Sequence, residues 1–302
     1  MEGEEGAVGQ ELSQDLIASG LRALAKTVDG TGFALTHFEL PGKNVDKIEA
    51  LAGYTHLRYL AMPDNKISDL KPLAGMEHLL SIDLSRNMIV DVELPALAFL
   101  QVLNLSGNKL KAVQGMTMPM LRRLDLSDNE LETIGGLEGN PALEVLHVHN
   151  NALASCDGLG LPSLKLITLT GNKIGNVAGL ANLNQVTDLD LSSNAIDSLA
   201  GLPAEGKIAK LNLSGNKLGD VEKLAALSAL KVGELMIGPQ TATKTNEEGA
   251  EVTEEVQIGA TPPERIKIVR LVPSLEMIND APVTAEEKAA AAEPEEAPPA
   301  AE

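Results

Sequence analysis

Two pairs of side chains have a spacing that would let them act together on one ligand. His147 and His149 are two residues apart, and on a β-strand this spacing directs both imidazoles to one side, where they could bind a metal ion. Asp188 and Asp190 have the same spacing and could act as paired carboxylates in acid–base catalysis. No third metal ligand is evident near the histidines, and no nucleophile or glycine-rich phosphate-binding loop accompanies the aspartates. We therefore expect no metal, no cofactor, no small-molecule substrate and no catalysis.

A second group of residues is suited to protein binding. Arg58 and Tyr59, Arg86, and the pair Arg122 and Arg123 are cationic or aromatic, and these residue types are enriched at binding hot spots. The whole chain has 24 Lys and Arg against 43 Asp and Glu, a formal charge of -19. These arginines are thus candidates to bind an acidic segment of a partner protein. The net charge repels polyanions, so we do not expect nucleic acid or an anionic membrane surface as a partner.

A repeat of 21 or 22 residues determines where these side chains lie. Asparagines mark it at Asn65, Asn87, Asn108, Asn129, Asn151, Asn172, Asn194 and Asn216. Each ends the pattern L-x-x-L-x-L-x-x-N, as in Leu121, Leu124, Leu126 and Asn129, with other apolar residues replacing some leucines. One earlier copy keeps the apolar spacing but has Lys43 at the Asn position. We count nine repeats over residues 35–229.

The repeat pattern predicts an α/β leucine-rich-repeat solenoid. The L-x-L alternation is typical of a short strand with leucines inward and the intervening residues outward. A buried Asn amide can bond the backbone groups left unpaired where the chain turns back. One repeat buries too little apolar surface to offset its ordering entropy, so the repeats must stack. Stacking gives a parallel sheet on the concave face and short helical or extended segments on the convex face.

The outward strand positions of the concave face form the expected binding surface. The solenoid places most of the residues discussed above on this surface. It adds Asp83 and Asp125, each between the two apolar residues of an L-x-L alternation. The candidate partner-binding residues are Arg58, Tyr59, Asp83, Arg86, Arg122, Arg123, Asp125, His147, His149, Asp188 and Asp190.

The segment before the repeats has two parts. Residues 1–12 are acidic and are expected to be disordered. Residues 13–34 form the predicted N-terminal cap, because Leu16, Ile17, Leu21, Leu24 and Ala25 fall at the spacing of one helix face between Ser13 and Lys26. A helix over this range would cover the first repeat.

The segment after the repeats has three parts. Residues 230–280 form the predicted C-terminal cap, in which Gly238-Pro239 interrupts the repeat and a structure resumes at Glu264. Within it, residues 240–263 are rich in Thr and Glu and are expected to form a mobile acidic loop. Residues 281–302 are Ala, Glu and Pro and are expected to be a disordered tail.

The sequence also bears on localisation. The N-terminus lacks the positive charge and apolar run of a signal peptide, and no stretch is apolar enough to span a bilayer. The single cysteine, Cys156, excludes an intramolecular disulfide and suits a reducing compartment. We expect a soluble, cytoplasmic protein.

Several segments resemble one family beyond the generic repeat leucines. These are residues 20–27 with Gly30, residues 54–59, residues 69–73 with 78–80, and residues 93–101. Over about residues 13–280 the chain resembles a leucine-rich-repeat protein of ciliary radial spokes, the family of leucine-rich-repeat-containing protein twenty-three. The resemblance implies a non-catalytic scaffold that binds other radial-spoke subunits in the axoneme of motile cilia and flagella, within the cytoskeleton.

Other proteins with this class of repeat suggest alternatives. Regulatory subunits of phosphatases bind the catalytic subunit by a concave face, although such faces are richer in large aromatics than this one, where Tyr59 is the plain aromatic candidate. A light chain of outer-arm dynein and the spliceosomal A-prime protein have repeats of the same class. The cellular location separates these alternatives.

Overall fold

The computed structural model describes residues 9–245 and 251–293. The expectations for residues 1–8, for 246–250 and for 294–302 lie outside these described ranges. The helices and strands, in chain order, are β1 (Gln10–Glu11), α1 (Gln14–Gly20), β2 (Leu21–Lys26), β3 (Phe33–Glu39), β4 (Val45–Lys47), β5 (Tyr59–Ala61), β6 (Ser81–Asp83), β7 (Val102–Asn104), β8 (Ala112–Val113), β9 (Arg123–Asp125), β10 (Thr133–Ile134), β11 (Val145–His147), β12 (Leu166–Thr168), β13 (Asp188–Asp190), β14 (Gly206–Asn212), β15 (Leu230–Met236), β16 (Pro239–Thr245), β17 (Glu251–Gln257), α2 (Pro262–Leu271), β18 (Met277–Ile278), β19 (Ala281–Pro282) and α3 (Ala285–Ala292). Four 3-10 turns, Glu49–Gly53, Lys71–Gly75, Ala178–Leu180 and Val221–Leu227, connect strands.

A single sheet of thirteen strands organises the repeats. Its order is β2-β3-β5-β6-β7-β9-β11-β12-β13-β14-β15-β18-β19, parallel from β3 to β18 and antiparallel at the two ends. Equivalent residues of successive repeats are paired, so that Leu124 of β9 is opposite Leu103 of β7 and Leu146 of β11. The prediction of a leucine-rich-repeat solenoid with a parallel sheet is confirmed. We call the exposed surface of this sheet the strand face.

One continuous core runs through the repeats. In the three-residue strands of the sheet the central residue is buried, as are Leu103 and Leu124, while the residues on either side are at least partly exposed, and Leu211 is buried likewise in β14. The strand sequences thus alternate as a one-sided sheet requires. None of the described helices is long and apolar enough to cross a bilayer.

The asparagines form the expected ladder beneath the strands. Asn129 donates from Nδ2 to the carbonyl oxygens of Leu105 and Leu126, both at 3.0 Å, and accepts at Oδ1 from the backbone N–H of Leu110 at 3.1 Å. One side chain thereby bonds backbone groups of two repeats. The first repeat lacks such an amide, and there the backbone N–H of Lys43 donates to Oδ1 of Asn65 at 3.0 Å.

The repeat continues past the predicted boundary at residue 229. Gln240 takes the ladder position of the next repeat: its Nε2 donates to Leu213 O at 2.8 Å and to Ile237 O at 3.0 Å, and its Oε1 accepts from Leu218 N at 3.2 Å. The prediction that Gly238-Pro239 interrupts the repeat was therefore wrong. A glutamine amide has the same donors and acceptor as asparagine, and its side chain is buried here.

The N-terminal cap differs from its prediction. The helix α1 ends at Gly20, where a Cβ would lie 2.7 Å from Cε2 of Phe38, and residues 21–26 form β2 instead. The helical prediction for this second part was wrong, because residues 21–26 pair with β3 and satisfy the backbone groups on the edge of β3 that faces away from β5. Leu24, assigned to the buried helix face, is 68% exposed.

The C-terminal cap also contains more regular structure than predicted. Residues expected to form a mobile loop contain the antiparallel hairpin β16–β17, and the tail includes β19 and α3. The helix α3 begins with a capping box of Thr284 and Glu287 and packs on α2, where Arg265 pairs with Glu287 at 2.5 Å. Both the loop and the tail were predicted from composition alone. Their regular structure comes from strand pairing and from packing against neighbouring elements, which composition does not show.

Candidate protein-binding surface

The aspartates that end β6, β9 and β13 on the strand face have a structural task. Oδ1 of Asp83, Asp125 and Asp190 accepts the backbone N–H two residues later, at 3.0, 3.0 and 2.9 Å. Asn104 and Asn212 make the same bond in their repeats. These side chains shape the turn after each strand. The recurrence of Asp or Asn four residues before the ladder position was the sequence signal for this role.

Asp188 and Asp190 lie together at the C-terminal end of the strand face. They line a depression of about 330 Å³ that also contains Lys210, Glu234 and Asp280. Asp188 accepts from Thr187 Oγ1 at 2.7 Å, and Lys210 Nζ lies 3.2 Å from a Glu234 carboxylate oxygen. The surroundings of the two aspartates are thus mainly acidic, with one paired lysine.

His147 and His149 share the strand face but have different partners. Their ring centroids are 6.5 Å apart. Nδ1 of His147 lies 3.0 Å from Thr168 Oγ1, and Nδ1 of His149 lies 2.8 Å from Ser127 Oγ. Partial burial lowers the pKa of His147, which favours its neutral form. Within residues 9–245 and 251–293, no cluster of three His, Cys, Asp or Glu is arranged to hold a metal ion.

Cys156 is part of the core rather than of the strand face. It is fully buried, and this burial raises the pKa of its thiol to about 12. The side chain therefore behaves as a small apolar group.

The structure joins Arg58 and Tyr59 to the N-terminal hairpin β2–β3. Arg58 Nη2 donates to Lys26 O at 3.0 Å, and the Tyr59 ring stacks on His37 with centroids 4.3 Å apart. Arg86 lies elsewhere, because it comes after the end of β6 at Asp83, at a left-handed backbone position with a φ of 53°. It forms a two-pronged ion pair with Asp64 of the preceding repeat.

Arg122 and Arg123 lie in the middle of the strand face. Arg122 Nη1 is 4.0 Å from Glu144, which also lies 3.2 Å from Lys165 Nζ. Arg123 is exposed and tends to lower the pKa of His147 by charge repulsion. The central strand face is therefore a mixed-charge region with local ion pairing.

Exposed apolar side chains are the feature that sequence reasoning missed. Within the described ranges, the large exposed ones all fall between residues 24 and 120. Those from β2 to β7 that lie on the strand face or beside its leading margin, where the strands begin, form what we call the N-terminal apolar surface: Leu24, Val28, Phe33, Leu35, Tyr59, Phe99 and Val102. Met120 has the position of Phe99 in the next repeat. Met88 and Val90 follow Asn87 and so lie beyond the strand face.

Part of this surface is concave. Val28, Arg58, His78, Leu80 and Phe99 line a depression of about 220 Å³, which we call the N-terminal groove. The available sequence signal was Phe99, which directly precedes a core leucine at a position where most other repeats have a polar residue or Ala. Its outward position follows once the repeat register is applied.

Comparison with known proteins places the fold. The family model described as Leucine Rich repeats (2 copies) matches residues 119–161. No curated protein sequence matches the chain significantly. A leucine-rich-repeat protein of Leptospira interrogans is similar in structure, with a TM-score of 0.60 and 21% identity over 81% of this chain and 66% of that one. The structure titled TLR13-ssRNA13 complex has a TM-score of 0.57 and 17% identity over 89% of this chain and 42% of that one.

These comparisons establish a leucine-rich-repeat solenoid. At such identities, similarity shows the fold alone, and the chain spans less than two thirds of the length of both proteins. No catalytic family matches the chain. Proteins of this fold commonly present extended surfaces to protein partners, which is the functional class that the fold suggests.

Proposed function

We propose that this chain is a non-catalytic scaffold that binds partner proteins through the N-terminal half of its strand face. The observation that carries the proposal is the N-terminal apolar surface. Val28 in the β2–β3 turn and Phe33 at the start of β3 are 59% and 67% exposed, whereas apolar strand-centre residues such as Leu103 and Leu124 are fully buried. Contiguous exposed apolar residues are typical of an interaction site.

We further propose that the partners are other subunits of the radial spoke in motile cilia or flagella. The sequence resemblance supports this finer assignment. Its segments 20–27, 54–59 and 78–80 contribute Leu24, Arg58, Tyr59 and Leu80 to the N-terminal apolar surface or its groove. The protein would then act in the cytoskeleton of the axoneme.

The test is localisation and co-purification of the tagged full chain in a ciliated cell. The expected result is axonemal localisation and co-purification with radial-spoke subunits. Nuclear localisation, or co-purification with a phosphatase catalytic subunit instead of axonemal proteins, would reject the radial-spoke assignment. Absence of any co-purifying protein would reject the scaffold function itself.

A further inference from the structure

We propose that the N-terminal groove binds one face of an acidic amphipathic helix of a partner protein. This inference rests on the proposed scaffold function and specifies the kind of partner it takes. Three properties lead to it: the preformed apolar lining of the groove, the length of the apolar surface around it, which suits a short helix, and the cation Arg58 in the lining.

The groove is held open by the hairpin turn that carries Val28. Thr27 N–H donates to Gly32 O and Gly30 N–H donates to Thr27 O, both at 3.0 Å, which closes the turn. Asp29 accepts from Thr31 N at 3.1 Å and from Thr31 Oγ1 at 2.8 Å. Arg58 then ties the hairpin to the second repeat through Lys26 O. Val28 is therefore fixed in an outward position before any partner binds, which lowers the entropy cost of binding.

Phe99 and Leu80 form the opposite wall. Phe99 is 48% exposed, and its ring centroid lies 6.5 Å from that of His78. The space between this wall and Val28 is mostly apolar and open to solvent, with Arg58 as its charged element. An aliphatic or aromatic side chain from a partner would fill it, as anchors do at binding hot spots.

The apolar surface has the length of a short helix. From β2 to β7 the sheet makes four steps between neighbouring strands, which is about 19 Å. A helix rises about 1.5 Å per residue, so roughly 13 residues cover this distance, and residues at i, i+3, i+4 and i+7 form one apolar stripe.

An added strand fits this surface less well than a helix. The open edge of β2 is interrupted at Ala23, whose φ of 55° lies in the left-handed region. Arg22 and Lys26 flank the interruption, and charged side chains and backbone irregularities on an edge strand oppose pairing with another strand.

Charge favours an acidic helix. Arg58 is the charged residue in the groove lining, and Arg22 and Lys26 of β2 add two cations at the edge of the apolar surface. Asp29 and Glu77 adjoin groove residues in sequence but do not line the groove, and Asp29 is already bonded to Thr27 and Thr31. Arg58 thus remains the charged group that lines the groove. A basic segment would instead be drawn to the acidic depression around Asp188.

The same charges argue against a second copy of this chain as the occupant. Two N-terminal apolar surfaces placed face to face would bring together Arg22, Lys26 and Arg58 of both copies. Like charges juxtaposed across an interface oppose association.

The experiment is a selection from a phage-displayed library of 14-residue helix-forming peptides against the immobilised full chain. The library carries a stripe of randomised apolar residues, and its flanking positions vary among Glu, Gln and Lys. We expect enrichment of peptides with an intact apolar stripe and an excess of Glu. In fluorescence anisotropy, Val28→Asp should raise the Kd of a selected peptide at least tenfold, and Arg58→Gln should raise it several-fold, more at low salt.

Val90→Asp is the matched control. Val90 is 58% exposed against 59% for Val28, and it lies beyond the strand face. The two variants have the same change in charge and apolar area, so peptide binding should be lost only in Val28→Asp. Circular dichroism of both variants verifies that each is folded.

Four results would overturn the acidic-helix proposal. They are no enrichment, enrichment of basic or stripe-free peptides, equal binding by Val28→Asp and the native chain, and a concentration-dependent dimer in sedimentation that Val28→Asp abolishes. If no peptide is enriched, yet the tagged chain still co-purifies with its partners, the scaffold function stands and this inference fails. If no partners co-purify either, the scaffold function fails with it.

Discussion

The N-terminal and C-terminal halves of the strand face have the same backbone and opposite surface chemistry. Tyr59, Val102 and their neighbours make the first half apolar with cations, whereas Asp188, Glu234 and Asp280 make the second half acidic. Both halves have leucines at the strand centres and amides at the ladder positions. The comparison shows that core positions fix the solenoid while outward positions vary without disturbing it. The following predictions test this separation, from the largest expected change to the smallest.

The core should respond equally in both halves. Leu103→Ala and Leu211→Ala each remove a side chain at most 1% exposed, so each should lower the free energy of unfolding by about 2–5 kcal/mol through lost burial and a cavity. Urea unfolding followed by circular dichroism measures this. A loss confined to one half would contradict a shared core.

The ladder should show a smaller loss, and it extends to Gln240. Asn108→Ala and Gln240→Ala each leave buried backbone groups unpaired, which should cost about 1–3 kcal/mol per variant. The same urea assay applies. A neutral Gln240→Ala would show that the ladder ends at Asn216.

The cap helix α3 should depend on pH through Glu287. Its ion pair with Arg265 holds the pKa of Glu287 below its ordinary value of 4.5. Because the folded-state pKa is lowered, the stabilisation is fully present above pH 4.5 and is lost as the pH falls through the folded-state pKa. Glu287→Gln should reduce this pH dependence and cost about 1 kcal/mol. Hydrogen exchange of α3 amides between pH 3.5 and 6 tests this, and an unchanged profile in the variant would contradict it.

Substitutions on the strand face should leave the free energy of unfolding nearly unchanged. Only those in the N-terminal half should weaken the binding of partner proteins. Arg58→Ala with Tyr59→Ala should shift the free energy of unfolding by less than about 0.5 kcal/mol but weaken co-purification with partners. Adding Arg86→Ala should change little more, because Arg86 is paired with Asp64 away from this surface. Asp188→Asn with Glu234→Gln is the C-terminal control. If the variants of the two halves weakened co-purification equally, the two halves would not differ in partner binding.

The predictions made from sequence succeeded where a given position of the repeat has the same structural environment in successive repeats. The strand centres and the ladder asparagines recur at a fixed spacing, and the same backbone bonds return in each repeat, as for Asn87 and Asn194. The candidate site was only partly predictable. The outward register placed Tyr59 and Asp190 on the strand face, but it did not reveal that Asp190 serves a turn or that Arg86 is paired.

The errors are concentrated at the ends, where repetition gives no information. Leu21 and Leu24 fit a helix by spacing, yet the free edge of β3 makes a strand more favourable for residues 21–26. Likewise, polar residues of β16 and β17 form a hairpin by pairing with each other. In both cases a partner strand that is not visible in local spacing supplies the hydrogen bonds.

The sequence by itself determined the solenoid, because a period of 21 or 22 residues with buried leucines and amides has no other way to satisfy its apolar and backbone groups. Only the tertiary structure decided where the binding surface lies. The turn of the hairpin β2–β3 brings Val28 beside Phe99, which is distant in sequence. Exposure of apolar area depends on what packs against each residue in three dimensions, and that neighbourhood is set by the pairing of strands.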